Sequence, residues 1–294
     1  MRILSIISMQ FALATVICLV SSHEALAQTP SWVFGTVRSA DGVQISYQTA
    51  GEGPVSLVFV HGWTCDRSYW RGQLEFFAQN HRVVALDLAG HGESGLNRDD
   101  WTLPAFGQDV VAVMDSLELK RVVLIGHSMG GPVIVEAARI APQNVIGLVG
   151  VDTLQDPDAP SMTQEAVRRS IERFEKSFKS AMRELVSVAM FVSDSDPTLK
   201  SWIVEDMASA VPEVGIGALR STLIWQSTSR SEALAALPAP LRLINSSLFP
   251  TNSAALERYG MDVVIMSGVG HFLMMEAPEK FNPLLASAIE EFAD

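Results

Sequence analysis

The sequence predicts an α/β fold in which a mostly parallel β-sheet carries helices on both faces. Three observations lead there. Short, nearly continuous apolar runs alternate with segments of helical period from Trp32 to about Gly150. That rhythm is lost from about Asp156 to Leu237 and resumes at Leu241. A serine bounded by glycines, Gly126-His127-Ser128-Met129-Gly130, separates one apolar run from the next helical segment. Strands that alternate with helices imply a parallel sheet covered on both sides.

The N-terminus reads as a separate object. Met1-Arg2 is followed by an apolar run from Ile3 to about Val20, broken only by Ser5, Ser8, Gln10 and Thr15. Ala25-Leu26-Ala27 then supplies small residues at the positions a signal peptidase reads. This layout predicts a secretory signal peptide over residues 1–27, cleaved before Gln28, and hence a secreted or periplasmic protein. The alternative is a retained anchor, because the run is close to the lower limit of about 17 residues for crossing a bilayer. Cys18 lacks the small preceding residue of a lipoprotein site. With residues 1–27 removed, Cys65 is the one remaining cysteine, so no intrachain disulfide is expected. Its ordinary role is a small core residue.

The elements follow in order. Val33–Arg38 and Val43–Gln48 alternate around Asp41-Gly42, a hairpin signal. Val55–Val60, Arg82–Leu88, Arg121–Ile125 and Val145–Val151 are nearly continuous apolar runs, as strands buried on both faces should be. Phe106–Leu117 and Pro132–Ile140 have helical spacing. Between 156 and 237, Val167, Ile171, Phe174, Phe178, Met182 and Leu185 mark one face of a single amphipathic helix. Asp196-Pro197, Val211-Pro212, Gly215 and Gly217 are read as punctuation between further helical pieces. Leu241–Ile244 and Val263–Met266 are the last strands, and Glu279 to Phe292 is a closing helix.

With 294 residues, 48% hydrophobic and 18% charged, the chain has ample material for a packed core. A net charge of −12 disfavours a nucleic-acid partner. No H-E-x-x-H, CxxC or phosphate-loop pattern occurs, so no metal or organic cofactor is expected.

Chemistry concentrates at Ser128. A G-x-S-x-G turn between strand and helix lifts the serine hydroxyl out at the carboxyl end of the sheet, where the next helix points its N-terminus. A serine hydroxyl needs a base. Gly268-Val269-Gly270-His271-Phe272 follows the last strand and offers His271. His127 adjoins Ser128, so its side chain is expected to diverge from it. His61 and His91 occupy glycine-flanked loops of their own.

These residues resemble the α/β-hydrolase family over nearly the whole chain after residue 27. Asp87-Leu88-Ala89-Gly90-His91-Gly92-Glu93-Ser94 is similar to its D-x-x-G-x-G-x-S loop, and His271-Phe272 with Glu276-Ala277-Pro278 to its histidine region. The resemblance implies an eight-stranded sheet with a helical cap inserted after strand six. The expected division is a core of 28–155 and 238–294 with a cap of 156–237. It also implies an oxyanion hole from the backbone N–H groups of Trp63, in His61-Gly62-Trp63, and Met129.

One departure matters. The family's acid usually follows the seventh strand, yet no Asp or Glu occurs between Glu232 and Glu257. Asp152 ends the strand Val145–Val151 at the active-site edge of the sheet, and some members place their acid there. It is the favoured candidate. Asp156, or Asn245, Ser246 or Ser247 as neutral substitutes, are the alternatives, while Asp87 is expected to brace its own loop.

The resulting expectation is a carboxylesterase-like serine hydrolase acting on a small or medium carboxylic ester, with lactones and amides as further candidates. Family members that open epoxides or remove halide use Asp in place of Ser128. A catalytically weak ligand-binding member of the fold and a lyase on the same triad are the alternatives. Met182, Met190, Phe191, Trp202, Met207 and Trp225 either line the pocket or form the cap's own core.

Overall fold

The computed structural model describes residues 30–293, so the predicted signal segment and its cleavage site lie outside the described residues. Strands β1 (Val33–Arg38) and β2 (Gln44–Ala50) form the hairpin. After them come β3 (Ser56–Val60), α1 (Arg71–Phe77), β4 (Arg82–Leu86) and α2 (Leu103–Ser116). The chain continues through β5 (Val122–His127), α3 (Gly130–Ile140) and β6 (Val145–Val151). Five helices follow before the next strand: α4 (Gln164–Lys176), α5 (Phe178–Ala189), α6 (Pro197–Ser209), α7 (Pro212–Thr228) and α8 (Arg230–Ala235). The last elements are β7 (Leu241–Ser246), α9 (Ser253–Arg258), β8 (Asp262–Met266), α10 (Leu273–Glu276) and α11 (Pro278–Ala293).

The eight strands form one sheet in the order β1-β2-β4-β3-β5-β6-β7-β8. Only the β1–β2 and β2–β4 pairs are antiparallel. The central strands β3 and β5 are buried along their whole length, which is why their sequences are apolar without alternation. Parallel pairing in register brings the C-terminal ends of β3, β5, β6 and β7 to one edge, and Ser128, Asp152 and the loop after Val60 leave from it. No helix among the described residues is long and apolar enough to cross a membrane.

The helical stretch differs from expectation in two ways. A single helix across Val167–Leu185 is expected, but the chain breaks at Ser177 (φ −160, ψ 84), where α4 ends and α5 begins. The break falls between Phe174 and Phe178, both buried, so the four-residue apolar spacing continues across it and hides it. Gly215 and Gly217 also lie inside α7 rather than between helices. A Cβ on Gly215 would lie 2.5 Å from the Phe178 ring, and one on Gly217 2.8 Å from the Trp101 ring. They therefore let α7 pack closely. The Asp-Pro and Val-Pro pairs do open helices, with the Asp196 side chain accepting from Thr198 N–H at the start of α6.

Most of the apolar residues considered as pocket lining are interior instead. Met182, Phe191, Met207 and Trp225 are buried, and Trp225 Nε1–H donates to Glu136 of α3 at 2.7 Å. Trp202 is 38% exposed, beneath the Arg71 guanidinium.

Candidate active site

Ser128 occupies the turn between β5 and α3 with φ 53, a left-handed conformation rare for a residue with a Cβ. The flanking glycines make this turn possible. A Cβ on Gly126 would lie 2.3 Å from the Gly130 carbonyl oxygen, and one on Gly130 2.6 Å from that of Val60. Ser128 N–H stays in the ladder, donating to Val151 O at 2.9 Å. Its carbonyl accepts from Gly131 N–H at 2.9 Å and from the Thr153 hydroxyl at 2.7 Å. The strained backbone is thus held from both sides and the side chain is left partly exposed.

His271 follows β8 and its ring Nδ1–H donates to Asp152 Oδ2 at 2.5 Å. Asp152 is 1% exposed, and its second oxygen accepts from Ser246 N–H at 2.9 Å. A buried carboxylate bonded in this way fixes the imidazole tautomer and orientation. Three of the other candidates for that role are engaged elsewhere, and Ser247 donates its backbone N–H to Met266 O at 2.9 Å. Asp156 accepts from Asn252, Asn245 Oδ1 accepts from Thr153 N–H, and Ser246 Oγ accepts from Leu248 N–H. The end of β7 therefore supports the carboxylate instead of supplying it. Among the described residues no hydrogen bond joins the Ser128 hydroxyl to His271.

The loop after β3 approaches the serine closely. A Cβ on Gly62 would stand 3.3 Å from Ser128 Cβ. Neither Trp63 N–H nor Met129 N–H donates to another described residue. The Trp63 indole is anchored separately, with Nε1–H donating to Gly215 O of α7 at 2.7 Å and its ring edge-on to Phe174 at 5.3 Å. Asp87 braces its loop as expected, accepting from Glu93 N–H and Arg67 N–H and pairing with the Arg67 guanidinium.

Sequence reasoning missed two neighbours of His271. The His127 ring lies 4.6 Å from the His271 ring, and His127 Nε2–H donates to His271 O at 2.9 Å. His127 was expected only to diverge from Ser128. Strand direction gives it a second neighbour that adjacency in sequence does not reveal. Phe249, from the loop after β7, stands edge-on to His271 at 5.6 Å, and no sequence signal marks it.

Burial also sets the protonation of this region. It lowers the pKa of His61 and lowers His127 well below the ordinary value. His91 falls to about 3, through burial and then the nearby His61. The Cys65 thiol is pushed up by burial, so it stays a protonated core group rather than a nucleophile. An imidazole with a lowered folded pKa takes its proton first in the unfolded chain. Its contribution to stability is complete above about 6.5 and is lost as pH falls toward 3. Each unit is worth about 1.4 kcal/mol. His91→Asn keeps a donor near Ala89 O, the partner of His91 Nδ1 at 3.0 Å. Urea melts at pH 7 and 4.5 should show the wild type losing more stability than this variant, by about 2 kcal/mol. Equal losses would reject the buried neutral imidazole.

Comparison with known proteins identifies the family. Residues 57–284 match the Alpha/beta hydrolase family. The dihydrolipoyllysine-residue acetyltransferase component of the acetoin cleaving system of Cupriavidus necator is 28% identical over 252 residues, 83% of this chain. The chain spans 66% of that relative's length, so it corresponds to only part of it. A thermophilic esterase from Thermogutta terrifontis superimposes with a TM-score of 0.75 at 24% identity, over 88% of this chain and 99% of its own. Est816, described as an N-acyl homoserine lactone degrading enzyme, gives 0.71 at 25% identity, over 86% of this chain and 99% of its own. The motif order, the sheet and the family match agree, and the chain belongs to the alpha/beta hydrolase family.

Proposed function

We propose that this protein is a serine hydrolase that cleaves small or medium carboxylic esters through an acyl-enzyme on Ser128. The observation that carries the reading is the buried Asp152–His271 hydrogen bond at the same sheet edge as the strained Ser128 turn. In the proposed cycle His271 Nε2 takes the Ser128 proton as Oγ attacks the ester carbonyl. The negative charge on the carbonyl oxygen is met by Trp63 N–H and Met129 N–H. Protonated His271 returns the proton to the departing alcohol, leaving Ser128 acylated. It then takes a proton from the water that attacks the acyl group, and returns that proton to Ser128 Oγ as the bond to the acyl carbon breaks and the acid leaves. The Ser128–His271 hydrogen bond forms in this scheme when substrate enters, as catalytic hydrogen bonds commonly do.

Serine at position 128 sets this reading apart from epoxide opening or halide removal, which in this family use Asp there. Lactones belong on the substrate panel because the similar Est816 degrades one class of them. The same reading takes residues 156–237 as a cap over a core of 28–155 and 238–294, and residues 1–27 as an export signal. The test is a fluorophosphonate probe read by intact mass and peptide mapping. Rapid single labelling at Ser128, with turnover of p-nitrophenyl esters, is expected. A well-folded protein that is not labelled would replace the hydrolase reading with ligand binding.

A further inference from the structure

His127 is a buried imidazole for which the cycle above has no use. It is 1% exposed, and it sits where three parts of the site meet. Ser128 is its chain neighbour. Its Nε2–H donates to His271 O at 2.9 Å, across 144 residues of sequence. Its other face meets the oxyanion loop, since a Cβ on Gly62 would lie 2.9 Å from His127 Nδ1. Trp70 stands edge-on at 6.4 Å and Phe272 lies 5.4 Å away, so the ring is walled in.

We propose that His127 is a positioning residue: its Nε2–H holds the backbone of His271 while its ring sets the spacing between nucleophile turn, base and oxyanion loop. This rests on the Ser128 hydrolase reading for its effect on rate, but not for its effect on His271. The carbonyl acceptor fixes the tautomer, because a lone pair on Nε2 would repel it. Nδ1 then carries a lone pair with no partner among the described residues. A buried orphan of this kind costs stability and calls for a reason. An apolar side chain would avoid the orphan but would lose the donor, leaving the position of His271 relative to β5 less defined.

The second hold on the same residue is His271 N–H donating to Met190 O at 2.8 Å, from the segment after α5. The base is thus clamped between the nucleophile strand and the helical stretch. Charge matters as well. The titratable groups nearest His127 are His271 and His61, and burial keeps the ring neutral. A cation there would oppose protonation of His271 during the transfer from Ser128. A neutral donor holds the base without that penalty.

The test compares His127→Phe, which keeps the packing and loses the donor, with His127→Gln, which keeps a donor at similar reach. Labelling of Ser128 by fluorophosphonate should slow by ~10–100-fold in His127→Phe, the scale expected for a misplaced catalytic group. His127→Gln should recover most of the rate. A folded His127→Phe variant that labels within about threefold of wild type, well under that scale, overturns the proposal.

Imidazole NMR supplies a readout that does not depend on activity. In the wild type, the His271 Nδ1 proton shared with Asp152 should resonate far downfield. In His127→Phe that signal should shift or vanish, and in His127→Gln it should persist. An unchanged signal in His127→Phe overturns the proposal even if the protein proves not to be a hydrolase. Should His127→Phe fail to fold, the wild-type spectrum still decides. A His127 ring protonated on Nδ1, or titrating between pH 5 and 9, rejects the proposal, because neither state is a neutral Nε2–H donor.

Discussion

Asp152→Asn is expected to lower kcat by ~10³–10⁴-fold while leaving fold and substrate affinity nearly intact. Asparagine has the shape of aspartate, and its Oδ1 can still accept from Ser246 N–H. The group facing His271 Nδ1 can then become an NH₂ donor. A donor there stabilises the tautomer with its proton on Nε2, the nitrogen that must accept the Ser128 proton. It also removes the charge that stabilises the imidazolium. Steady-state kinetics on an ester, with urea melts as the control for folding, measure this. A kcat within about tenfold of wild type would reduce Asp152 to a structural cap at the end of β6, since the tautomer effect is far larger.

Ser128→Gly is expected to abolish turnover and raise stability together. A non-glycine residue held in the left-handed region costs about 1–3 kcal/mol, and Ser128 has φ 53. Glycine removes that strain but brings an unfolded-state entropy cost of about 0.5–1 kcal/mol. The net gain should be about 1 kcal/mol, which for a chain of this size corresponds to a Tm higher by about 2–4 °C. No hydrogen bond of the hydroxyl to another described residue offsets this. The nucleophile would be gone, so fluorophosphonate labelling should disappear. A variant that melts at or below the wild type would mean that the turn stores no strain.

The two variants probe the site from different ends. Asp152→Asn leaves the backbone alone, moves one proton and removes one negative charge. Ser128→Gly removes the reacting atom and reports what the backbone gives up to present it. Loss of activity without a stability gain in the second, alongside a large kcat loss in the first, would assign catalysis to the pair while rejecting strain at the serine turn.

Much of the architecture was legible from spacing. Val33–Arg38 and Val145–Val151 match the observed strands end to end: burial on both faces makes the second apolar, while the first is exposed or half-buried along its length and is marked by the Asp41-Gly42 hairpin signal. The G-H-S-M-G turn and the Gly-rich approach to His271 are legible for a similar reason: close backbone approach admits little but glycine. Asp152 emerged from a gap, the lack of any carboxylate between Glu232 and Glu257. Other features needed the folded chain. The break at Ser177 is silent because Phe174 and Phe178 keep the helical spacing across it. The meeting of His271 with Asp152 spans 119 residues, and that with His127 spans 144. Periodicity records that a side chain is buried, but not which partner it is buried against. Partner choice is a property of register and strand order, so the clamp on the base and the edge of Phe249 appear only once β5, β6, β7 and β8 lie side by side, and the choice of Asp152 among the candidate acids is made there too.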